Sequence, residues 1–240
     1  GYSFYMGREE VGLGQREPIA AVARVLARYV QGIVARVFAH SSIVELAKYA
    51  PVPVVNALSD WEHPCQTLAD LQTIQEVKGK LAGVTIVFVG DGNNVSRSLA
   101  LGAALVGARF VLAAPRGYEL DTESVAKARS LAVASGGEVR VVTDPKAAVA
   151  GADVVYTDVW TSMGQEEESQ KRRQAFKGYT VDEALLAAAG PQAVLMHDMP
   201  AHYGEEVPPG MLDHPQSVAF DQAENRLHAQ KAALEFLLAR

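Results

Sequence analysis

Apolar residues in the first part of the chain follow two periods, and each period names its element. In 18–30, "PIAAVARVLARYV", they recur at helical spacing behind a proline suited to a first turn, which predicts a helix. "GIVARVFA" and "VPVVNAL" are short runs rich in β-branched residues and predict strands. Between them "SSIVELAKYA" predicts a helix with a serine cap. A further helix is expected over 67–77 and a polar connector over 78–83.

From residue 84 strands and helices alternate steadily. Strands are predicted at 84–89, 109–113, 138–142, 153–157, 193–197 and 218–220, and helices around 95–106, 122–134, 145–149, 166–176 and 181–189. The strands are apolar throughout rather than at every second position, which predicts a parallel sheet covered on both faces. The last segment, 221–240, reads as a long amphipathic helix with Leu227, Ala232, Leu234, Leu237 and Leu238 available for packing, and is expected to leave the second lobe. The fold class expected is α/β in two lobes, each a mainly parallel sheet flanked by helices. There is no internal repeat and no low-complexity segment.

Ligands of such sheets lie beyond the carboxyl ends of the strands. Four stretches fall there: "GDGNN", "TDVWTSMG", "HDMP" and "FDQAENR". "GDGNN" lacks the G-x-G-x-x-G spacing of a dinucleotide loop, and a tight turn explains its residues as well as a ligand does. In "TDVWTSMG", Asp158 reads as a cap and Met163 as core filler, although the surroundings of Ser162, Met163 and Gly164 are polar. "HDMP" ends an apolar run on a titratable pair, His197 and Asp198, before Met199 and Pro200, as a strand does when it delivers side chains to a pocket.

In "WEHPCQ", His63 and Gln66 are three residues apart at the start of a helix, so both can point into one space near its positive end. A lone histidine is more often structural. Paired with Gln66 it could donate hydrogen bonds to a carbonyl oxygen and steady a developing oxyanion. Arg36, within the apolar "GIVARVFA", is read as a buried charge facing an anion, because an unpaired one is costly.

Composition narrows the field. With 49% hydrophobic and 21% charged residues the chain is of the folded, globular type, and its apolar runs fall far short of the ~20 residues of a membrane span. A net charge of −6 argues against a nucleic-acid surface, while local arginines leave room for a small anion. The single Cys65 excludes an internal disulfide and suits a reducing cytoplasm. The six histidines show no H-E-x-x-H spacing, and no G-x-S-x-G or G-x-x-x-x-G-K-[ST] occurs, so metallohydrolase, serine-hydrolase and nucleotide-triphosphate readings fall away.

In this order, "HPCQ", "GDGNN", "YTDVWTSMG", "HDMPAHYGEE" and "FDQAENRLH" resemble the aspartate/ornithine carbamoyltransferase family over practically the whole chain, and D-x-x-x-S-M-G points to ornithine as the acceptor. The resemblance implies a carbamoyl-phosphate lobe of 1–77, completed by the returning helix 222–240, and an ornithine lobe of 82–220. It implies carbamoyl transfer from carbamoyl phosphate to the δ-amine of L-ornithine, giving L-citrulline and phosphate. No metal or organic cofactor, no nucleic acid and no membrane is expected. The chain is expected to be cytoplasmic and to assemble as a homotrimer or a multiple of trimers. By the same resemblance Arg36 and Arg226 contact carbamoyl phosphate, and His63 and Gln66 polarise its carbonyl. Asn94, Asp158, Ser162 and Met163 then hold the α-amino and α-carboxylate groups of ornithine.

"HDMP" stands where the family has His-Cys-Leu-Pro, a loop at the acceptor amine whose bond before proline is usually cis, as predicted for Met199–Pro200. Met199 replaces leucine at similar volume. Asp198 replaces cysteine and sets a carboxylate beside the attacking amine, either holding it protonated or accepting its proton. The family's Ser-x-Arg-Thr phosphate loop does not occur in these 240 residues, so the first lobe is expected to be incomplete here and this polypeptide to turn over little. Two other readings stay open: a carbamoyltransferase for another amine, and a non-catalytic binding or regulatory paralogue.

Overall fold

The two β-branched runs near the start of the chain pair as their composition predicts. Strand β1 (Ile33–Arg36) and strand β2 (Val54–Leu58) form a two-stranded parallel sheet joined through helix α3 (His40–Tyr49), with α1 (Arg8–Val11) and α2 (Ile19–Leu26) preceding them. The computed structural model describes residues 1–162 and 164–239. It divides into two compact units, residues 1–63 with 232–240, and residues 64–231.

Two expectations for the first unit are corrected. Arg36 is exposed, because β1 is covered on only part of its surface, so no buried charge needs explaining there. The serine cap is absent as well. Helix α3 begins one residue before Ser41, with Ala39 in the cap position, and its first free N–H, that of His40, is taken by Oδ1 of Asp60 at 2.8 Å.

In the second unit α4 (Pro64–Lys78) is followed by β3 (Thr85–Val89), α5 (Asn94–Leu105), β4 (Arg109–Ala113), α6 (Thr122–Ser135), β5 (Glu138–Val142), α7 (Pro145–Val149) and β6 (Val154–Thr157). Then come α8 (Ser169–Ala175), entered through a 3₁₀ turn at Glu166–Glu168, α9 (Glu183–Ala189), β7 (Val194–His197) and α10 (Ala219–Leu238). The sheet is parallel throughout in the order β5-β4-β3-β6-β7. The chain winds outward from β3 to β5, then returns to the far side of β3 as β6, so the winding reverses between β3 and β6.

The all-apolar strands are explained by burial on both faces. Ile86 and Phe88 pack on one face with Leu99, Phe110 and Tyr156, while Val87 and Val89 pack on the other with Val155, Phe176 and Leu195. The rings of Phe88 and Tyr156 stack with centroids 5.2 Å apart, which carries the Tyr156 hydroxyl toward α4.

The strand expected at 218–220 does not form. The chain makes a single bridge, Ser217 to Leu195, and Ala219 already begins α10 because Gln222 N–H bonds to the Val218 carbonyl. The leucines expected to pack that helix do not bury it either: Leu227 is 61% exposed, and the buried positions are Ala219, Gln222, Asn225 and Ala229. Up to Lys231 the helix belongs to the second unit, and residues 232–240 belong to the first. Among the described residues no helix is long and apolar enough to cross a membrane.

Candidate active site

The reversal between β3 and β6 brings "GDGNN" and "TDVWTSMG" together. Asn93 caps α5, its Oδ1 accepting from the N–H groups of Val95 and Ser96 at 3.0 Å each, and its Nδ2 donates to Asp158 Oδ2 at 2.6 Å. The Oδ1 of Asp158 accepts from Val159 N–H, also at 2.6 Å. Both oxygens of Asp158 therefore meet donors. Asn94, the asparagine expected to bind substrate, is the first residue of α5 and half-buried.

The turn before Asn93 requires glycine. A Cβ on Gly92 would lie 2.4 Å from the carbonyl carbon of Glu119 and 2.4 Å from the nitrogen of Leu120. Gly92→Ala is expected to cost about 1–3 kcal/mol by forcing that backbone apart. Urea unfolding of the two proteins checks it, and an unchanged midpoint would show that the turn yields freely.

Behind this turn Asp91 is buried against Arg172 of α8, Nη1 to Oδ2 at 2.8 Å, with both side chains 8% exposed. The same Nη1 donates to the carbonyl of Trp160 at 2.9 Å, tying the loop after β6 to the turn after β3. Burial still holds the Asp91 carboxyl above its ordinary range, although Arg172 opposes it.

"HDMP" forms a tight corner at the end of β7. His197 is fully buried; its Nδ1 accepts from Met199 N–H at 2.8 Å and its Nε2 donates to Glu206 Oε1 at 3.2 Å. That pair of bonds fixes the neutral tautomer with the proton on Nε2. Met199 adopts φ 51°, a left-handed conformation unusual for its type, and the Met199–Pro200 bond is cis, as the sequence predicts. His197 thus holds the corner, and Asp198 is the side chain it presents.

A second network lies on α4 and α10. Asp70 is buried, and its Oδ1 accepts from Gln66 Nε2 at 2.9 Å and from Gln222 Nε2 at 2.7 Å, with the Tyr156 hydroxyl 3.3 Å from both oxygens. Gln222 also accepts the N–H of His197 at 2.9 Å, linking α10 to the HDMP corner. Burial nevertheless pushes the Asp70 carboxyl up to about 7, against the opposing pull of its donors and of Arg226. Asp198 is held well above the carboxylate range, by burial first and then by the charges of Asp158 and Asp70.

Within the second unit the structure gathers Gln66, Asp158 and Asp198 of the residues singled out from the sequence, with Arg226 acting electrostatically on Asp70 and Cys65. Ser162 and Met199 are half-buried nearby in sequence, and Met163 lies outside the described residues. Arg36 and His63 belong to the first unit, His63 buried and immediately preceding α4. Sequence reasoning overlooked Asp70, Asn93, Tyr156, Glu206 and Gln222. The one hint was spacing: Asp70 with Thr73, and Gln222 with Asn225, put polar pairs on one face of otherwise packed helices, and Asn225 Nδ2 does donate to Thr73 Oγ1 at 3.0 Å.

Gln66 is turned differently from the sequence expectation. Its amide nitrogen is committed to Asp70, and its Oε1 is a buried acceptor without a partner among the described residues. One group of metal-type ligands comes together among the described residues, His202, Glu205 and Glu206, but Arg173 engages Glu205 at 2.8 Å and His197 engages Glu206.

Comparison with known proteins follows the same division of motifs. Residues 1–76 match the carbamoyl-P binding domain of the aspartate/ornithine carbamoyltransferase family, and residues 82–237 match its Asp/Orn binding domain. The chain is 57% identical over 226 residues to the ornithine carbamoyltransferase of Acidothermus cellulolyticus, covering 94% of this chain and 72% of that protein. It is 52% identical over 238 residues to that of Thermococcus kodakarensis, covering 99% and 76%. The solved ornithine carbamoyltransferase of Pyrococcus furiosus superimposes with a TM-score of 0.95 at 50% identity, over 98% of this chain and 75% of that one.

Proposed function

The chain belongs to the aspartate/ornithine carbamoyltransferase family, and from that premise we propose how its residues carry out carbamoyl transfer. The chain is a transferase that moves the carbamoyl group of carbamoyl phosphate to the δ-amine of L-ornithine, giving L-citrulline and phosphate. Nitrogen attacks the carbamoyl carbon, the carbon–oxygen bond to phosphate breaks, phosphate keeps the electron pair, and the amine sheds a proton.

His63 donates to the carbamoyl oxygen, where negative charge grows. Gln66, whose amide nitrogen is held by Asp70, offers Oε1 to the carbamoyl N–H and sets the plane of attack. Arg36 and Arg226 counter the phosphate. Asn94, Asp158, Ser162 and Met163 hold the amino-acid end of ornithine, while Asp198 and Met199 of the HDMP corner meet its side-chain amine. Residues 1–77 with 222–240 make the donor lobe and 82–220 the acceptor lobe, and the protein works in the cytoplasm as a homotrimer or a multiple of trimers.

The observation that carries this reading is the buried acceptor oxygen of Gln66, joined through Asp70 to the corner bearing Asp198. Two complementary needs, an N–H donor and a cation, then meet in one substrate pair. Full-length protein supplied with both substrates is expected to form citrulline, and Gln66→Ala to lower kcat about a hundredfold. Citrulline formation untouched by Gln66→Ala would remove Gln66 from the site; carbamoylation of a different amine in place of ornithine would favour the other-acceptor reading.

A further inference from the structure

The two ends of a side-chain amide are nearly equal in shape, so its partners alone decide where the oxygen lies and where the nitrogen. In the second unit that choice begins at the backbone N–H of His197, in the last residue of β7, which can only donate. It bonds to Gln222 Oε1 at 2.9 Å, so Gln222 turns Nε2 the other way, onto Asp70 Oδ1 at 2.7 Å and the Tyr156 hydroxyl oxygen at 3.0 Å. Asp70 Oδ1 takes a second N–H, from Gln66 Nε2 at 2.9 Å. With two N–H donors on Oδ1, any proton that Asp70 carries resides on Oδ2, 3.3 Å from the Tyr156 hydroxyl. Asp70 therefore meets Gln66 as an acceptor in either protonation state. Turning over the Gln222 amide would set N–H against N–H at His197 and oxygen against oxygen at Asp70, and turning over Gln66 would set its oxygen against Asp70 Oδ1. Gln66, Asp70, Tyr156 and Gln222 are all fully buried, so each such mismatch is costly. One turn along, Asn225 Nδ2 donates to Thr73 Oγ1 and Gln72 Nε2 donates to Asn225 Oδ1, both at 3.0 Å, which keeps α10 in register on α4. The series of bonds ends at Gln66 Oε1, a buried acceptor without a partner among the described residues.

We propose that Asp70 and Gln222 are positioning residues that fix the polarity of the Gln66 amide from the backbone of His197, and that the fixed Oε1 makes the donor site prefer a group bearing N–H beside its carbonyl, a carbamoyl, over one bearing methyl, an acetyl. A methyl there leaves the oxygen buried and unpaired, whereas an amide N–H pairs with it. This inference deepens the proposed role of Gln66 and rests on it.

Calorimetry of full-length protein with two inert ligands tests it: phosphonoacetamide, and 2-oxopropylphosphonate, which differs only in carrying methyl where the first carries the amide nitrogen. The parent is expected to prefer the amide about 10–100-fold. Gln222→Met and Asp70→Leu free the Gln66 amide to turn over and to change rotamer. The preference is then expected to fall about three- to tenfold, the amide binding more weakly while the ketone no longer meets a fixed oxygen. Asp70→Asn, whose oxygen still accepts from both glutamines, is expected to keep the preference within about twofold. If Asp70→Leu does not fold, Gln222→Met, which keeps an unbranched stem, carries the test. An undiminished preference in Gln222→Met or in folded Asp70→Leu overturns the proposal, as does a parallel weakening of both ligands, the mark of a merely structural role. Loss of the preference in Asp70→Asn overturns it too, because charge and not polarity would then be responsible. Each of those results leaves the carbamoyltransferase reading standing, whereas a parent protein that binds neither phosphonate brings down the reading and the proposal together.

Discussion

Asp70→Asn is expected to make the protein more stable above neutral pH and to flatten its stability between about pH 4 and pH 7. Asp70 is fully buried, and desolvation outweighs the hydrogen bonds from Gln66, Gln222 and Tyr156, leaving its carboxyl near 7 against 3.8 when unfolded. The folded chain therefore binds this proton more tightly than the unfolded chain does. Stability from this group is complete below the unfolded value, declines as pH rises toward 7, and is level above it. Ionising Asp70 in the folded state costs about 4 kcal/mol, spread over that window at roughly 1.4 kcal/mol per pH unit. Asparagine fits the network without the charge: its oxygen still accepts from both glutamines, and its Nδ2 can donate to the Tyr156 oxygen. Asp91 and Asp198 titrate in the same direction, but they are common to both proteins and largely cancel in the difference. Urea unfolding at several pH values decides the matter, and parallel stability curves for parent and variant would refute the raised carboxyl.

The network around Asp70 also marks where sequence reading stops. Strand positions from 84 to 197 were legible because apolar residues filled both faces of each strand, a pattern that residues such as Ile86, Val87, Phe88 and Val89 can satisfy only between two layers. Gln222 and Asp70 lie 152 positions apart, so no local pattern shows that they bond. The missing serine cap failed for the same reason, since the acceptor at the start of α3 comes from Asp60, twenty positions along the chain. The cap role of Asn93 was not legible in "GDGNN", because one residue separates the cap side chain, which reaches Asp158, from Asn94 in the first turn. At 218–220 three apolar-edged residues were too few to distinguish a strand from a helix start. The HDMP corner was legible as a site because a polar, conformationally restricted set follows a buried run, but the tautomer of His197 and the neighbours of Asp198 required the fold.

Arg172→Met is expected to cost about 3–5 kcal/mol, the penalty for leaving a buried carboxylate without its partner. Methionine keeps the apolar stem that packs beside Tyr118, whose ring lies 5.1 Å from the guanidinium carbon. What it loses is the charge facing Asp91 and the donor to the Trp160 carbonyl. The exposed Glu168, 3.5 Å from Nε, adds little, because an ion pair in contact with water is screened. Burial already holds the Asp91 carboxyl high, and removing Arg172 drives it higher, so the folded variant takes up a proton that the unfolded chain has lost. The deficit is therefore smallest below about pH 4 and grows as pH rises. Adding Asp91→Asn should recover much of the loss at neutral pH, since the second change removes the stranded charge. Urea unfolding of both single variants and the double variant at acid and neutral pH measures each step. A deficit under about 1 kcal/mol, or one independent of pH, would mean that water reaches Asp91 in the folded protein. The same variant links stability to binding: Asp91 leads into the turn that places Asn93 on Asp158, and Trp160 lies two residues beyond Asp158. Loosening both sides of that contact should raise the KM for the acceptor in the full-length protein more than it lowers kcat, because Arg172 reaches the site only through those two loops.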